Sequence, residues 1–149
     1  MAVQSFKKLI GEIVSGCGTL ELMVNGLINI LGKDPILARE ITALGFEHRV
    51  KVLRRLMLDR TSLPPDEVKS LSDDLLRIAR ERNKVAHNPI VAEDRGAKPH
   101  IFVIGDFSDV AISRELYESH LKEILAQVSK VQTKIGKCVR EIGPRSPIP

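Results

Sequence analysis

The stretch that decides the fold covers residues 68–89 and reads VKSLSDDLLRIARERNKVAHNP. Its apolar residues recur at alternating steps of three and four, the spacing of a helix that buries one face. They are Val68, Leu71, Leu75, Ile78 and Val85. Pro89 disfavours helical geometry at Asn88, so we expect the helix to end near His87. Arg82 lies on the same seam, which places a cation on a face predicted to be buried.

Three further segments carry the same helical spacing. The first covers residues 5–31 and the last covers 114–142. Between them, Asp34-Pro35 is a good cap and first position for a second helix, and Gly45 is expected to break or bend it before residue 59. The predicted seams are Phe6, Ile10, Ile13, Cys17, Leu20, Val24, Leu27 and Leu31, then Phe46, Val50, Leu53 and Met57, and finally Tyr117, Leu121, Ile124, Val128, Val131, Ile135, Cys138 and Ile142.

These seams predict an all-α fold, an up-and-down helical bundle of four to five helices in one domain over residues 1–142. Residues 90–104 differ, because two short apolar runs flank a turn-forming segment at 94–99, and we interpret them as a small inserted β-hairpin. Residues 105–113 are predicted to form a loop. The Pro-rich tail at 143–149 is predicted to be disordered.

Composition limits the classes of function. With 43% hydrophobic and 28% charged residues, the chain has the composition of a soluble globular protein. We find no apolar run of membrane-span length and no apolar signal segment at the N-terminus, so we expect a cytoplasmic protein without a membrane partner. Aromatic residues make up 3%, which argues against a base-stacking platform.

Cys17 and Cys138 lie on apolar seams, which favours buried free thiols over a disulfide. No Cys/His cluster has zinc-ligand spacing.

The net charge of +4 permits a nucleic-acid partner without demanding one. Basic residues form two groups along the chain. They are Lys51, Arg54 and Arg55, and then Lys130, Lys134, Lys137 and Arg140. Each group is either a solvated helix face or a track for phosphates, and the sequence leaves both interpretations open.

Residues 82–88, Arg-Asn-Lys-Val-Ala-His-Asn, carry the candidate catalytic groups. Several Arg–His pairs in the chain have a similar spacing, but this one combines a seam position, an adjacent Asn, a helix end and a following proline. Arg82 offers a planar fork of donors for phosphate oxygens. His87 can transfer protons near neutral pH. Asn83 lies four residues before His87 on the same helical face and could orient the imidazole or the phosphate.

This segment resembles the signature of the HEPN superfamily (higher eukaryotes and prokaryotes nucleotide-binding). Its members are compact helical bundles with an Arg-x(4–6)-His motif near the end of the third core helix. The resemblance implies a metal-independent endoribonuclease without a cofactor, active as a homodimer with the motif at the dimer cleft. It also implies a toxin or phage-defence role, RNA or a nucleotide as ligand, and an antitoxin or nucleotidyltransferase-like partner. The nearby Arg80, Lys84 and Asn88 are the candidate substrate-binding residues.

Two structural alternatives stay open at this point. Arg82 could form a structural ion pair with an acid of the first helix such as Glu21, and His87 could be a cation at a helix C-terminus. Some members of the superfamily are inactive binding or accessory proteins, so a non-catalytic helical dimer that binds nucleotide, RNA or a protein is the second functional hypothesis. His48, His100 and His120 are interpreted as incidental.

Overall fold

The computed structural model describes residues 2–87, 90–93, 100–103 and 110–142, with the side chains of residues 6–86 and 117–142. Within these residues the fold is a helical bundle, as the seams predict. Its helices are α1 (Ala2–Gly32), α2 (Pro35–Thr42), α3 (Phe46–Arg60), α4 (Pro65–His87) and α5 (Arg114–Ile142). Helices α1, α3, α4 and α5 pack around one core, and the short α2 lies against α1 and α3.

The helix boundaries near residues 32–46 follow from local sequence. Lys33 adopts a left-handed conformation with φ of 56° at the end of α1. Asp34 then caps α2, since its Oδ1 accepts hydrogen bonds from the backbone N–H of Ile36 at 2.9 Å and of Leu37 at 3.4 Å. Helix α2 ends at Thr42 with Ala43 as its C-cap, and Gly45 is the N-cap of α3, so the chain breaks into two helices near Gly45 as predicted.

The core consists largely of the predicted seams. Almost every seam residue of α1, α3, α4 and α5 is buried, and the exceptions are partly buried. These exceptions are the charged Arg82 and four residues that pack against the core, Ile10, Phe46, Cys138 and Ile142. The alternating spacing of apolar residues therefore predicted which face of each long helix turns inward.

Helices α1 and α5 approach closely at Gly16. A Cβ added to this glycine would lie 2.8 Å from Cγ1 of Val128, and the Gly16 carbonyl accepts a hydrogen bond from Gln132 Nε2 at 3.2 Å. Gly11, Gly18 and Gly26 have open space where a side chain would be. The absence of a side chain at Gly16 is therefore what allows this contact, whereas the other three glycines have no such role.

The segment between α4 and α5 carries three short strands, β1 (Ile90–Glu93), β2 (His100–Val103) and β3 (Val110–Ser113). They form an antiparallel sheet in the order β1-β2-β3, with Ile90 opposite Val103 and Val103 opposite Val110. The third strand falls in the segment predicted to be loop, so the prediction for residues 110–113 was wrong. The predicted tail at 143–149 and the turn at 94–99 lie outside the described residues.

The apolar composition of helix α1 would also fit a membrane-spanning helix. Over Phe6–Gly32 it passes a length-and-composition test for a membrane-spanning helix, with a mean hydropathy of 1.4, contrary to the sequence expectation. Core helices of soluble proteins and signal sequences pass the same test. In this chain the seam of α1 forms the centre of the bundle core, so its apolar character has a structural use.

Candidate functional site

A cavity of about 430 Å³ lies between the middle of α1, the start of α3 and the C-terminal end of α4. It brings Arg82 and Asn83 of the predicted motif together with acids, apolar side chains and a second arginine. Its lining residues are Cys17, Leu20, Glu21, Phe46, Glu47, Arg49, Ile78, Ala79, Arg82 and Asn83. The volume falls in the range typical of small-molecule sites.

Arg49 of α3 is the buried cation of this cavity, with 8% of its surface exposed. Its Nη2 donates a hydrogen bond to Glu21 Oε2 at 2.9 Å, and its Nη1 donates one to Asn25 Oδ1 at 2.7 Å. Its guanidinium also stacks over the ring of Phe46, 5.4 Å from the centroid. The ion pair and the hydrogen bonds hold Arg49 against α1, and the stacking on Phe46, a residue of the same helix α3, helps to orient the guanidinium.

Arg82 of α4 has a different environment. It is partly buried, as its place on the apolar seam predicted, and its Nη1 donates a hydrogen bond to Oδ1 of the adjacent Asn83 at 3.1 Å. Among the side chains that the structure describes, no carboxylate pairs with it. The ion pair with Glu21 that the sequence allowed is absent, because Glu21 pairs with Arg49.

Each of these two arginines has an unsatisfied donor. The Nε atoms of Arg49 and Arg82 are buried, and neither has a hydrogen-bond partner among the described residues. A buried N–H without an acceptor costs about 1–3 kcal/mol, so such groups are uncommon in native proteins. The two donors lie on neighbouring helices and have almost no accessible surface, so each carries this cost within the packed protein.

The pKa of the Cys17 thiol, which lines the same cavity, depends on burial and on two neighbouring charges. Burial raises the pKa of its thiol to about 11, the positive charge of Arg82 acts in the opposite direction, and the carboxylate of Glu21 raises it. The thiol is therefore protonated at neutral pH, and it is a poor nucleophile there. Both cysteines are free, as predicted.

Of the other predicted site residues, Lys84 and Arg80 do not line the cavity. Lys84 is exposed and pairs with Glu81 at 3.0 Å, and Glu81 also contacts Nε2 of His120 at 3.3 Å. Arg80 is exposed on α4 and does not line this cavity. His87 is the last residue of α4, as predicted, but its side chain lies outside the described residues, and so does Asn88.

The basic groups noted in the sequence are partly neutralised. Lys134 contacts Asp74 at 2.5 Å, and Lys137 contacts Glu141 at 3.6 Å. Lys130 and Arg140 are exposed on α5. Because two of the four cations of this α5 group already have acids, its interpretation as a phosphate track is weakened.

Sequence reasoning missed Arg49. The signal was present, because Arg49 follows Phe46 by three residues and precedes Leu53 by four, which places it on the buried side of α3 in the same way that Arg82 lies on the seam of α4. Arg49 was overlooked because the basic group identified in this segment consisted of Lys51, Arg54 and Arg55 only.

No family model, no curated protein and no solved structure matches this chain. Within the described residues, no group of three His, Cys, Asp or Glu side chains is placed to hold a metal ion. Functional assignment therefore depends on the motif and on the geometry of the cavity.

Proposed function

We propose that this chain is a metal-independent endoribonuclease of the HEPN type. In this proposal Arg82 binds the phosphate at the cleavage site, His87 transfers a proton and Asn83 orients Arg82. The observation that carries it is the state of Arg82, a partly buried cation with no carboxylate partner among the described side chains.

The cost of this arrangement supports a functional role for Arg82. A cation removed from water needs an anion or hydrogen-bond acceptors, and Arg49 on the other side of the cavity has both. Arg82 has the amide oxygen of Asn83 alone among the described groups. A phosphate oxygen accepts hydrogen bonds from a guanidinium in the bidentate geometry that a planar fork favours. An RNA phosphate would therefore supply the missing acceptor.

The chemistry follows from RNA itself. The ribose 2′-oxygen loses its proton to a base and bonds to phosphorus, and the bond from phosphorus to the 5′-oxygen breaks as that oxygen receives a proton. The products carry a 2′,3′-cyclic phosphate and a 5′-hydroxyl. Arg82 stabilises the charge that develops on the phosphorane oxygens. His87 serves as the base or the acid.

A single chain supplies one motif histidine for two proton transfers, and Arg82 and His87 lie about 140° apart around the helix axis. We therefore propose that the active form is a two-fold homodimer, in which two copies of the motif share one cleft. Light scattering tests this directly. A monomer at tens of micromolar that still cleaves RNA would contradict the shared cleft.

The activity test uses purified protein with single-stranded RNA in EDTA, followed by end-group analysis of the products. We expect cleavage that persists in EDTA and leaves 2′,3′-cyclic phosphate ends. His87→Ala should lose about 10²–10⁴-fold in rate, the usual effect of removing a proton-transfer group. Asn83→Ala should lose less, because Asn83 acts on Arg82 and not on the reacting atoms.

The size of the cavity favours one alternative. A volume of about 430 Å³ suits a small ligand such as a nucleotide, so the chain could be a non-catalytic helical dimer that binds nucleotide, RNA or a protein partner. Ligand binding without any cleavage, and an unchanged phenotype on expression in cells, would favour this alternative. Cleavage and growth inhibition relieved by a cognate antitoxin would favour the toxin or phage-defence role.

A further inference from the structure

We propose that the outer side of helix α1 is the surface through which two copies of this chain pair. In this dimer the two α1 helices are antiparallel, and Leu22 of each copy lies at the two-fold axis. The proposal rests on the proposed function only for what the paired chains act on, because the contact itself does not require RNA cleavage.

The outer side of α1 is exposed although the helix is strongly apolar. Its most apolar 18-residue window has a mean hydropathy of 1.4, yet only 33% of that window is buried in the bundle. Leu22 has 71% of its surface exposed, and Ile30, two turns later, has 36% exposed. The described part of the chain therefore leaves this side of an apolar helix uncovered.

The same side of α1 lacks charge over about five helical turns. Glu21 is the one charged residue between positions 13 and 32. It pairs with Arg49 and lies about 100° around the helix axis from Leu22. Depletion of charge distinguishes the core of a protein interface from an ordinary solvated surface. The residues that share the outer side with Leu22 are small or uncharged, namely Ser15, Thr19, Gly26 and Asn29.

The order of these residues suits a two-fold contact between antiparallel helices. Such a contact places residue i of one copy opposite residue j of the other, and j opposite i. Ser15 and Asn29 are each seven residues from Leu22, so the hydroxyl of one copy lies opposite the amide of the other. Gly26 has open space where a side chain would be, which leaves room beside the axis for Leu22 of the second copy.

The charges at the two ends of this surface select the antiparallel orientation. Glu12 lies ten residues before Leu22, and the exposed Lys33 lies eleven residues after it. An antiparallel pair centred on Leu22 therefore brings Glu12 of each copy close to the level of Lys33 of the other. A parallel pair would place glutamate against glutamate and lysine against lysine, which is unfavourable. The charge distribution thus fits a second, antiparallel copy of this chain.

A lipid surface fits the outer side of α1 less well. Helices that lie in a membrane surface combine a large apolar face with lysines and arginines along the polar side. On α1 the exposed large apolar residues are Leu22 and Ile30, with polar uncharged residues among them, and no basic residue occurs between positions 13 and 32. This composition favours a helix as the occupant over a membrane.

The proposed pairing places both Arg82 cavities on one side of the dimer. Cys17 and Glu21 line the cavity and lie about 140° and 100° around the α1 axis from Leu22, on the same flank of the helix. A two-fold axis perpendicular to the plane of two antiparallel helices turns this flank of each helix in the same direction. The two motifs then face a common surface, as a cleft shared between two copies requires.

The first test is disulfide cross-linking of added cysteines in a Cys138→Ser background, where the remaining Cys17 is buried. Leu22→Cys places one thiol of each copy at the axis, so we expect mild oxidation to link it into dimers. Leu58→Cys is the matched control, because Leu58 is a leucine of α3 with 44% of its surface exposed. We expect this control to remain unlinked under the same conditions.

The orientation of the helices is tested by mixing two variants. Ser15→Cys and Asn29→Cys should each link poorly alone and should link to each other in a mixture, because an antiparallel pair places these positions opposite one another. A parallel pair would give the reverse pattern and would contradict the proposed dimer.

The second test measures the oligomeric state of Leu22→Lys by light scattering at tens of micromolar. We expect the wild type to be a dimer and Leu22→Lys to be a monomer, with a dissociation constant raised at least about 10-fold, because two like charges meet at the axis. Leu58→Lys should remain dimeric. Thermal unfolding checks that both variants are folded, as expected for substitutions at residues that are exposed in a single chain.

Several results would overturn the proposal. They are a monomeric wild type, a Leu22→Cys variant that links no better than Leu58→Cys, and a dimeric Leu22→Lys. A wild type that is monomeric in solution but floats with phosphatidylcholine–phosphatidylglycerol vesicles, and loses this binding in Leu22→Lys, would assign the surface to a membrane instead. Failure of the proposed function is distinguishable, because a dimer that links through position 22 but cleaves no RNA would refute catalysis and leave the interface intact.

Discussion

Arg49 of α3 donates a hydrogen bond to Glu21 of α1 at 2.9 Å, across 28 residues of chain. The sequence alone allowed Glu21 to pair with Arg82, and the structure pairs it with Arg49 instead. Because Glu21 is used by Arg49, the seam arginine of the motif has no carboxylate among the described side chains.

The ion pair should matter for stability. Glu21→Gln leaves Arg49 buried without its anion, and we expect the free energy of unfolding to fall by about 2 kcal/mol. This is less than the loss of a fully buried pair, because 34% of the Glu21 side chain is exposed. Denaturant unfolding measures it. Glu12→Gln on the same helix removes an exposed pair at 3.8 Å and should change stability by less than about 1 kcal/mol. Equal losses in both variants would contradict the buried role of Glu21.

The glycines of α1 should respond in opposite directions to alanine. Gly16→Ala places a Cβ against the buried and stiff Val128, which lies 2.8 Å away, so we expect a net loss of about 1–2 kcal/mol from overpacking. Gly18→Ala meets open space and should gain up to about 1 kcal/mol from helix propensity. Chemical denaturation of the two variants tests the packing of α1 against α5. A stabilising Gly16→Ala would mean that the two helices are farther apart.

The pH dependence of stability should contain a contribution from Cys17. Its pKa is raised from 9.0 to about 11, so the folded protein keeps the thiol proton over a range in which the unfolded chain releases it. Stability from this group is therefore complete below pH 9 and falls as pH rises from there towards 11, by roughly 1.4 kcal/mol per pH unit. Cys17→Ala should lose this slope. An identical pH profile in wild type and variant would contradict the raised pKa.

Thiolate absorbance in a Cys138→Ser background tests the neighbours of Cys17. Arg82 lowers the pKa of this thiol and Glu21 raises it. Between pH 9 and 11 we therefore expect Arg82→Met to decrease the thiolate fraction and Glu21→Gln to increase it. Shifts in the same direction for both variants would place one of the two charges away from Cys17.

Much of the bundle could be predicted from sequence, because one physical rule governs it. A helix that buries one face repeats its apolar residues every three or four positions, and the seams from Phe6 to Leu31 and from Tyr117 to Ile135 fulfil that rule almost without exception. The caps at Asp34 and Gly45 followed from similarly local rules. The strand Val110–Ser113 could not be predicted in this way, since four residues give only a weak periodic signal and their strand conformation depends on pairing with β2.

The candidate site was predictable only in part. The position of Arg82 on a buried seam was visible in the spacing, and so was its proximity to Asn83. The spacing did not show that Glu21 pairs with Arg49, because Arg49 and Arg82 lie on different helices and either could pair with this acid. Which of them does so depends on how α1, α3 and α4 pack. Lys84 pairs with Glu81, which lies three residues before it on α4, and its role in substrate binding stays a prediction.

The central claim is that Arg82 acts on the phosphate of RNA, and the cleavage rate of Arg82→Met in EDTA tests it most directly. Methionine keeps most of the apolar stem and removes the charge. The matched control is Arg77→Met, at an exposed position of the same helix that does not line the cavity. We expect a folded, dimeric Arg82→Met to lose about 10²–10³-fold in rate, as when a charge-stabilising donor is removed, while Arg77→Met stays near wild type. A folded Arg82→Met protein that cleaves RNA at the wild-type rate would contradict the claim.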